Sequence, residues 1–253
     1  MRYTYGQSET AAQRLKQIAR VFDPHSSAFI KSQVDLPVKV AIDLGCGPGF
    51  TTRMLARASR AANTCGLDAS SEFLREAKRR FSDYEFIQHD LTRTPFPVNG
   101  GVMYCRFLLS HLRQPVSLMN RWSRLLPTGG LLLAEELEAI DTGIEVFQRY
   151  LTINQGLVAS QGARLYVGAE LARGKFDARV RLNQPFILPV TNSDAATMFF
   201  SNTTSIWEKE EFVLGKVPAA ELREISQALK AMIDDGDRRT GIIWKMRRIL
   251  IQA

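Results

Sequence analysis

Cysteine and histidine are scarce, with three of each among 253 residues. Cys46, Cys65 and Cys105 are odd in number and have no paired spacing, which excludes a disulfide framework and offers no zinc motif. No metal-ligand cluster is evident, and no metal is expected. Long apolar runs are missing as well. The densest, at residues 131–134, is far shorter than a bilayer span, so no membrane partner is expected. The first ten residues, MRYTYGQSET, lack the apolar core of a signal peptide, and a cytoplasmic protein is expected. Low-complexity tracts, internal repeats and Ser/Gly linkers are absent too. One domain over residues 1–253 is therefore expected: an N-terminal helical cap at 1–36, a core at 37–140, and further helices with the last two strands at 141–253. What is present is ordinary for a folded chain: 45% apolar residues exclude general disorder. The net charge of +7 is spread along the sequence, which permits an anionic ligand or nucleic acid without requiring either.

The main pattern is alternation. Short apolar runs at 38–43, 64–67, 85–88, 102–105 and 131–134 read as buried strands, with helices at 51–58, after Ser70–Ser71, and at 116–126 between them. Strand–helix units at this spacing predict an α/β fold, a mostly parallel sheet covered by helices on both faces. Ahead of it lies an amphipathic helix with Ala11, Leu15, Ile18 and Phe22 on one face and Arg14, Lys16 and Gln17 on the other. Behind it, 144–160 and 163–172 read as helices, 176–188 as a strand, 192–235 as mostly helical, and 241–252 as a last strand. Ligands of such sheets sit beyond the carboxyl ends of the strands.

The first strand ends in Asp43-Leu-Gly45-Cys46-Gly47-Pro-Gly49. Glycines remove side chains, so a ligand can approach the backbone. Their spacing is G-x-G-x-G with Phe50 next, whereas a dinucleotide site wants G-x-G-x-x-G. A carboxylate at Asp43 suits a ligand with an ammonium group and would repel a pyrophosphate. Asp68 ends the second strand, where it can accept hydrogen bonds from both hydroxyls of a ribose. Asp90 ends the third, where an adenine amino group could donate to it. Any one of them alone reads more simply as a helix N-cap. Three in register on consecutive strands favour a ligand.

With these residues the sequence resembles the class I S-adenosylmethionine (SAM)-dependent methyltransferases. The Asp43–Gly49 loop is similar to that family's first motif, Asp68 to its ribose-binding acid, and Asp90-Leu91 to its adenine-side position. Leu126-Pro-Thr-Gly-Gly130 resembles the turn before its fifth strand. Tyr3-x-x-Gly6 with Arg14-Leu15-x-x-Gln17, and Tyr104-Cys-Arg106-Phe-Leu-Leu-Ser-His111, resemble a bacterial small-molecule subgroup. The resemblance covers about the first 136 residues. It implies a Rossmann-like three-layer sandwich with seven strands, the last antiparallel. The 37–140 core would bind SAM, release S-adenosylhomocysteine (SAH), and leave the later helices on the substrate side. The cofactor contacts it implies are Tyr3, Gln17, Asp43, Gly45, Cys46, Gly47, Gly49, Asp68, Ala69, Asp90, Leu91, Arg106 and His111. One departure stands out: Asn99-Gly100-Gly101 replaces the acid that usually opens the fourth strand.

The catalytic half is harder to read. A sulfonium methyl is already activated, and transfer needs a base only if the acceptor arrives protonated. His111, Glu135 and His25 are the candidates, and none prevails; Glu135 and Glu136 alternate, so one should face the substrate side. Phe147, Tyr150, Tyr166, Phe186, Phe199, Phe200 and Trp207 suggest an enclosed apolar pocket for a small-molecule acceptor, though helix packing would use the same residues. An RNA acceptor is the second reading, from Arg238, Arg239, Lys245, Arg247 and Arg248; strand alternation splits that cluster, and nucleic acid is disfavoured. A SAM-binding protein that performs no methyl transfer is the third. A nicotinamide enzyme is disfavoured by the glycine spacing and Asp43. Monomer and homodimer are both open.

Overall fold

The computed structural model describes residues 9–35 and 38–253. Seven strands form one sheet: β1 (Val40–Leu44), β2 (Asn63–Asp68), β3 (Glu85–Gln88), β4 (Val102–Arg106), β5 (Leu131–Thr142), β6 (Arg179–Val190) and β7 (Ile242–Gln252). Their order is β3-β2-β1-β4-β5-β7-β6. The first five pair in parallel, and β7 runs antiparallel to both β5 and β6. The expected fold class, with its antiparallel last strand, is the one observed.

Alternation along the central strands builds two cores. Ile42, Leu44, Met103, Cys105, Leu132 and Ala134 pack on one face around Trp122 of α4 (Pro115–Ser123). Ala41, Val102, Tyr104 and Leu133 pack on the other against Leu55 of α2 (Phe50–Ser59) and Phe29 of α1 (Glu9–Gln33). Strands buried on both faces read as continuous apolar runs, which is why the sequence signals them so clearly. Ser70 caps α3 (Ser71–Arg80), its hydroxyl accepting from Phe73 N at 3.1 Å.

At the entry to β4, Gly101 N donates to Val40 O at 3.0 Å. A Cβ on Gly100 would lie 2.9 Å from that same carbonyl oxygen, so only glycine lets β4 approach β1 there. This accounts for Asn99-Gly-Gly in place of an acid.

The N-terminal helix departs from expectation. Arg14 is buried at 6% exposure. It lies three residues after Ala11 and four before Ile18, so it shares their inner stripe and buries its stem there. The helix also runs on through Pro24. Tertiary bonds hold that stretch: Arg106 donates to Asp23 Oδ1 and Ser26 Oγ, and Arg248 to His25 O.

After β5 come α5 (Glu145–Ser160), α6 (Gly168–Ala172), α7 (Asn192–Ser205), α8 (Glu211–Lys216) and α9 (Ala219–Asp234). The expected helix at 163–172 shrinks to α6, since Gly162 takes a left-handed φ of 75° and the following residues form turns. Likewise β6 begins and ends later than 176–188, because its ends follow its pairing with β7 from Arg179–Gln252 to Val190–Ile242. Helices α5 and α7 pack on β5 and β7 in a third core containing Phe147, Tyr150, Phe199, Trp207 and Trp244. They roof the sheet beyond its carboxyl ends. Among the described residues no helix is long and apolar enough to cross a membrane.

Candidate functional site

The glycine loop turns back over the end of β2. Gly47 has a φ of 50°, and a Cβ there would find only Leu15 Cδ1, at 3.6 Å. It would stand in the space between loop and α1, the close approach a ligand needs. Gly47 N donates to Asp68 Oδ2 and Ser70 N to Asp68 Oδ1, each at 2.8 Å. Burial raises the Asp68 pKa while these backbone donors oppose the rise. With one backbone bond on each oxygen, the carboxylate keeps lone pairs for two hydroxyls. Asp90 Oδ1 accepts from Thr92 Oγ1 at 2.7 Å and Thr92 N at 2.9 Å, which hold its pKa low.

Loop, Asp68 and Asp90 border a cavity of about 440 Å³. Of the residues expected at a cofactor, Gly45, Cys46, Gly47, Asp68 and Ala69 line it, as do Asp90, Leu91, Arg106 and His111. Three others do not. Asp43 sits behind the loop, its Oδ2 accepting from Thr51 Oγ1 at 2.6 Å and Thr52 Oγ1 at 2.7 Å. It ties the first turn of α2 to β1, and burial pushes its carboxyl up to about 6. Gly49 caps α2 beneath Phe81 and Phe86. Gln17 donates to Asp194 Oδ1 at 3.1 Å, linking α1 to α7. Tyr3 and Gly6 lie outside the described residues.

Arg106 lines the cavity with its guanidinium committed, at 2.8 Å from Asp23 Oδ1 and 2.9 Å from Ser26 Oγ. Burial raises the Asp23 pKa and the Arg106 cation draws it back. Burial pushes the Cys46 thiol far up, so no thiolate forms in the loop.

Of the candidate bases only His111 reaches the cavity. Burial, with Arg14 beside it, lowers its pKa to about 4, so the ring is neutral at pH 7. His25 stacks on Phe186 with ring centres 5.5 Å apart, away from the cavity. Glu135 accepts from Tyr104 Oη and Arg248 Nε, both at 2.8 Å, and lies within the sheet. Its neighbour Glu136 accepts from Leu108 N at 2.8 Å and Leu109 N at 2.7 Å. Neither glutamate lines the cavity, against the expectation that one would. Glu136 instead fixes the turn after β4, which presents Phe107, Leu108 and His111.

Burial raises Glu136 from 4.5 to about 7. A carboxyl whose folded pKa exceeds its unfolded one favours folding below the lower value and loses that contribution as pH rises through the higher. Glu136→Gln, which keeps an oxygen for the two N–H groups, is expected to match the parent at pH 4 and exceed its stability at pH 8. The gain should be on the order of 2 kcal/mol. Urea unfolding at the two pH values measures it; equal stabilities at pH 8 would contradict the assignment.

Beyond the loop the cavity opens under α5 and α7. Tyr150 and Phe199 line it, stacked at 4.1 Å, while Phe147 and Trp207 pack behind them. Phe186, Phe200 and Tyr166 are not on its wall. Sequence reasoning missed Phe107, Leu137, Asn154, Asn202 and Trp244, all of which are. A signal existed for Trp244: Ile242, Trp244 and Met246 alternate as buried residues on β7, on the side that meets the roof.

Residues 41–130 match a family model described as a methyltransferase domain. A trans-aconitate 2-methyltransferase of Rhodopseudomonas palustris is 28% identical over 52% of this chain and 51% of its own length. One from Methylobacterium nodulans is 32% identical over 49% and 48%. The chain thus matches about half the length of these curated relatives. Among solved structures, a Bacillus halodurans protein described as a methyltransferase superposes with a TM-score of 0.59 at 17% identity, over 90% of this chain and 98% of that one. At this identity the likeness is one of fold.

Proposed function

We propose that this chain is a class I SAM-dependent methyltransferase, which transfers a methyl group from SAM to a small-molecule acceptor. The observation that carries this reading is the Asp68 carboxylate, held by Gly47 N and Ser70 N on the wall of a cavity that continues into an aromatic-lined half. When bound, SAM supplies an electrophilic sulfonium methyl and leaves as SAH. Asp68 accepts from the ribose hydroxyls, and Asp90 from the adenine amino group. Gly45, Cys46 and Gly47 offer backbone to the methionine end, with Ala69, Leu91 and His111 along the edges. Asp43 and Gly49 act from behind, holding the loop on α2.

The chain's part in the reaction is mainly alignment. Helix α1 and the α5–α7 roof wall the cavity and bring the acceptor in line with the methyl. His111 is a neutral nitrogen on the wall, and with its pKa lowered to about 4 it holds a proton poorly at pH 7. An acceptor that loses its own proton readily is therefore favoured.

Four of the five basic residues behind the RNA reading are engaged in ion pairs, which favours the small-molecule reading. Lys245 and Arg247 both pair with Glu138, Arg248 with Glu135, and Arg239 with Asp237. The relatives' names raise trans-aconitate as one acceptor to try. Incubation with methyl-tritiated SAM and a panel of hydroxyl, amine and carboxylate compounds, with bulk RNA in parallel, tests the proposal. Label is expected in an extractable small molecule. Label confined to RNA would contradict it, and SAH binding without turnover across the panel would favour a cofactor-binding protein.

A further inference from the structure

The far half of the cavity is built from neutral parts. Phe107, Tyr150, Phe199 and Trp244 supply its rings, and Leu137, Ile140 and Met198 its aliphatic wall. The rings are contiguous: Tyr150 stacks on Phe199 at 4.1 Å, Phe199 lies 6.1 Å from Trp244 and 24° from parallel, and Phe107 meets Trp244 at 6.3 Å. They come from the turn after β4, α5, α7 and β7, so four separate parts of the chain converge on one aromatic surface. Such convergence exceeds what covering one helix would need.

Asn202 and Trp244, residues of this wall, each carry a polar atom that departs from the rule that buried groups are paired. Asn202 Oδ1, an acceptor, and Trp244 Nε1, a donor, are buried and have no hydrogen-bond partner among the described residues. The Asn202 amide is oriented by its other end, Nδ2 donating to Tyr150 Oη at 2.5 Å. One neutral acceptor and one neutral donor complement a group that both donates and accepts, which is a hydroxyl. A carboxylate is a poor match, since it only accepts and calls for several donors or a cation. Of the cations that line the cavity, Arg106 is already engaged by Asp23, and Arg14 is on α1 near His111. Desolvating a carboxylate against phenylalanine and leucine would go uncompensated.

We infer that the acceptor is an uncharged, mostly apolar aromatic molecule carrying a hydroxyl, which is recognised by Asn202 and Trp244. This inference rests on the methyl-transfer reading for its chemistry. The hydroxyl oxygen forms the new O–C bond, the S–C bond breaks with its electron pair kept on sulfur, and the hydroxyl proton passes to water. An aryl hydroxyl fits the absence of a strong base on the described part of the wall, because its proton leaves more readily than an alkyl alcohol's.

Calorimetry with 2-naphthol, 2-naphthoate and trans-aconitate, each with and without SAH, tests it. The expected result is 2-naphthol binding at least tenfold tighter than 2-naphthoate, with trans-aconitate failing to compete. Asn202→Ala should weaken 2-naphthol about fivefold to tenfold, the loss of one neutral hydrogen bond, with SAH affinity unchanged. Tyr150→Phe, which keeps the stacked ring and removes the group orienting Asn202, should weaken it in the same direction. Equal or tighter binding of either carboxylate would overturn the inference, as would unchanged 2-naphthol affinity in both variants. Failure of the parent protein to bind SAH would contradict the methyl-transfer reading instead, and the 2-naphthol titrations without SAH would still decide what the cavity accepts.

Discussion

Asp68→Ala is expected to weaken SAH binding by about a hundredfold to ten-thousandfold. Two hydrogen bonds to a charged carboxylate, each contributing about 1.5–3 kcal/mol, account for that range. The same change frees Gly47 N and Ser70 N, which now fasten the glycine loop to the end of β2. Ligand contact and loop order are thus lost together. Asp68→Asn retains one accepting oxygen and should fall between the parent and the alanine variant. Calorimetric titration of the three proteins with SAH makes the comparison. Parent-like affinity in Asp68→Ala would remove the ribose role from this residue.

The second large effect is structural. Arg106→Ala is expected to destabilise the fold by about 3–5 kcal/mol, because it leaves a half of a buried ion pair behind. The Arg106 side chain is 2% exposed and Asp23 opposite it 21%. Asp23 already has its pKa raised by burial, with Arg106 the main group opposing that rise; without the cation the carboxyl should shift further up. For a chain this size the thermal midpoint should fall by roughly 10 °C. The ion pair also moors α1, which carries Arg14, Leu15 and Ile18 to the cavity wall. Limited proteolysis should therefore cut within α1 in the variant before it cuts the sheet. A melting temperature unchanged within 2–3 °C would show that α1 is held by its apolar face alone.

The parts of this molecule that were legible in the sequence share a physical cause. Strands such as β1 and β2 are buried on both faces, so their apolar runs stand out, and they end just before Gly45 and at Asp68, residues that mark a turn. The proposed cofactor side of the cavity hangs on those ends, which is why Gly47, Asp68 and Asp90 could be singled out before their place on its wall was seen. The proposed acceptor side is assembled from residues far apart in the chain. Asn202 and Trp244 lie on α7 and β7; alternation along β7 marks Trp244 as inward, but nothing local separates either residue from one that only fills the core. Charged residues misled for a related reason: Arg14 read as the polar face of its helix and one of Glu135 and Glu136 as facing the substrate, yet Arg14 lies in an inner helical stripe and Glu136 binds backbone N–H groups under the turn after β4. The extent of α1 was hidden as well, because Pro24 is a stop signal locally and is overridden by Arg106 and Arg248 from strands that follow much later.

The most direct test of the cofactor assignment, on which the whole reading depends, is calorimetric titration of the purified protein with SAH, with NADH as the control ligand. The account predicts one SAH bound per chain at micromolar affinity and no heat from NADH. No SAH binding to folded protein, or NADH binding in its place, would contradict it.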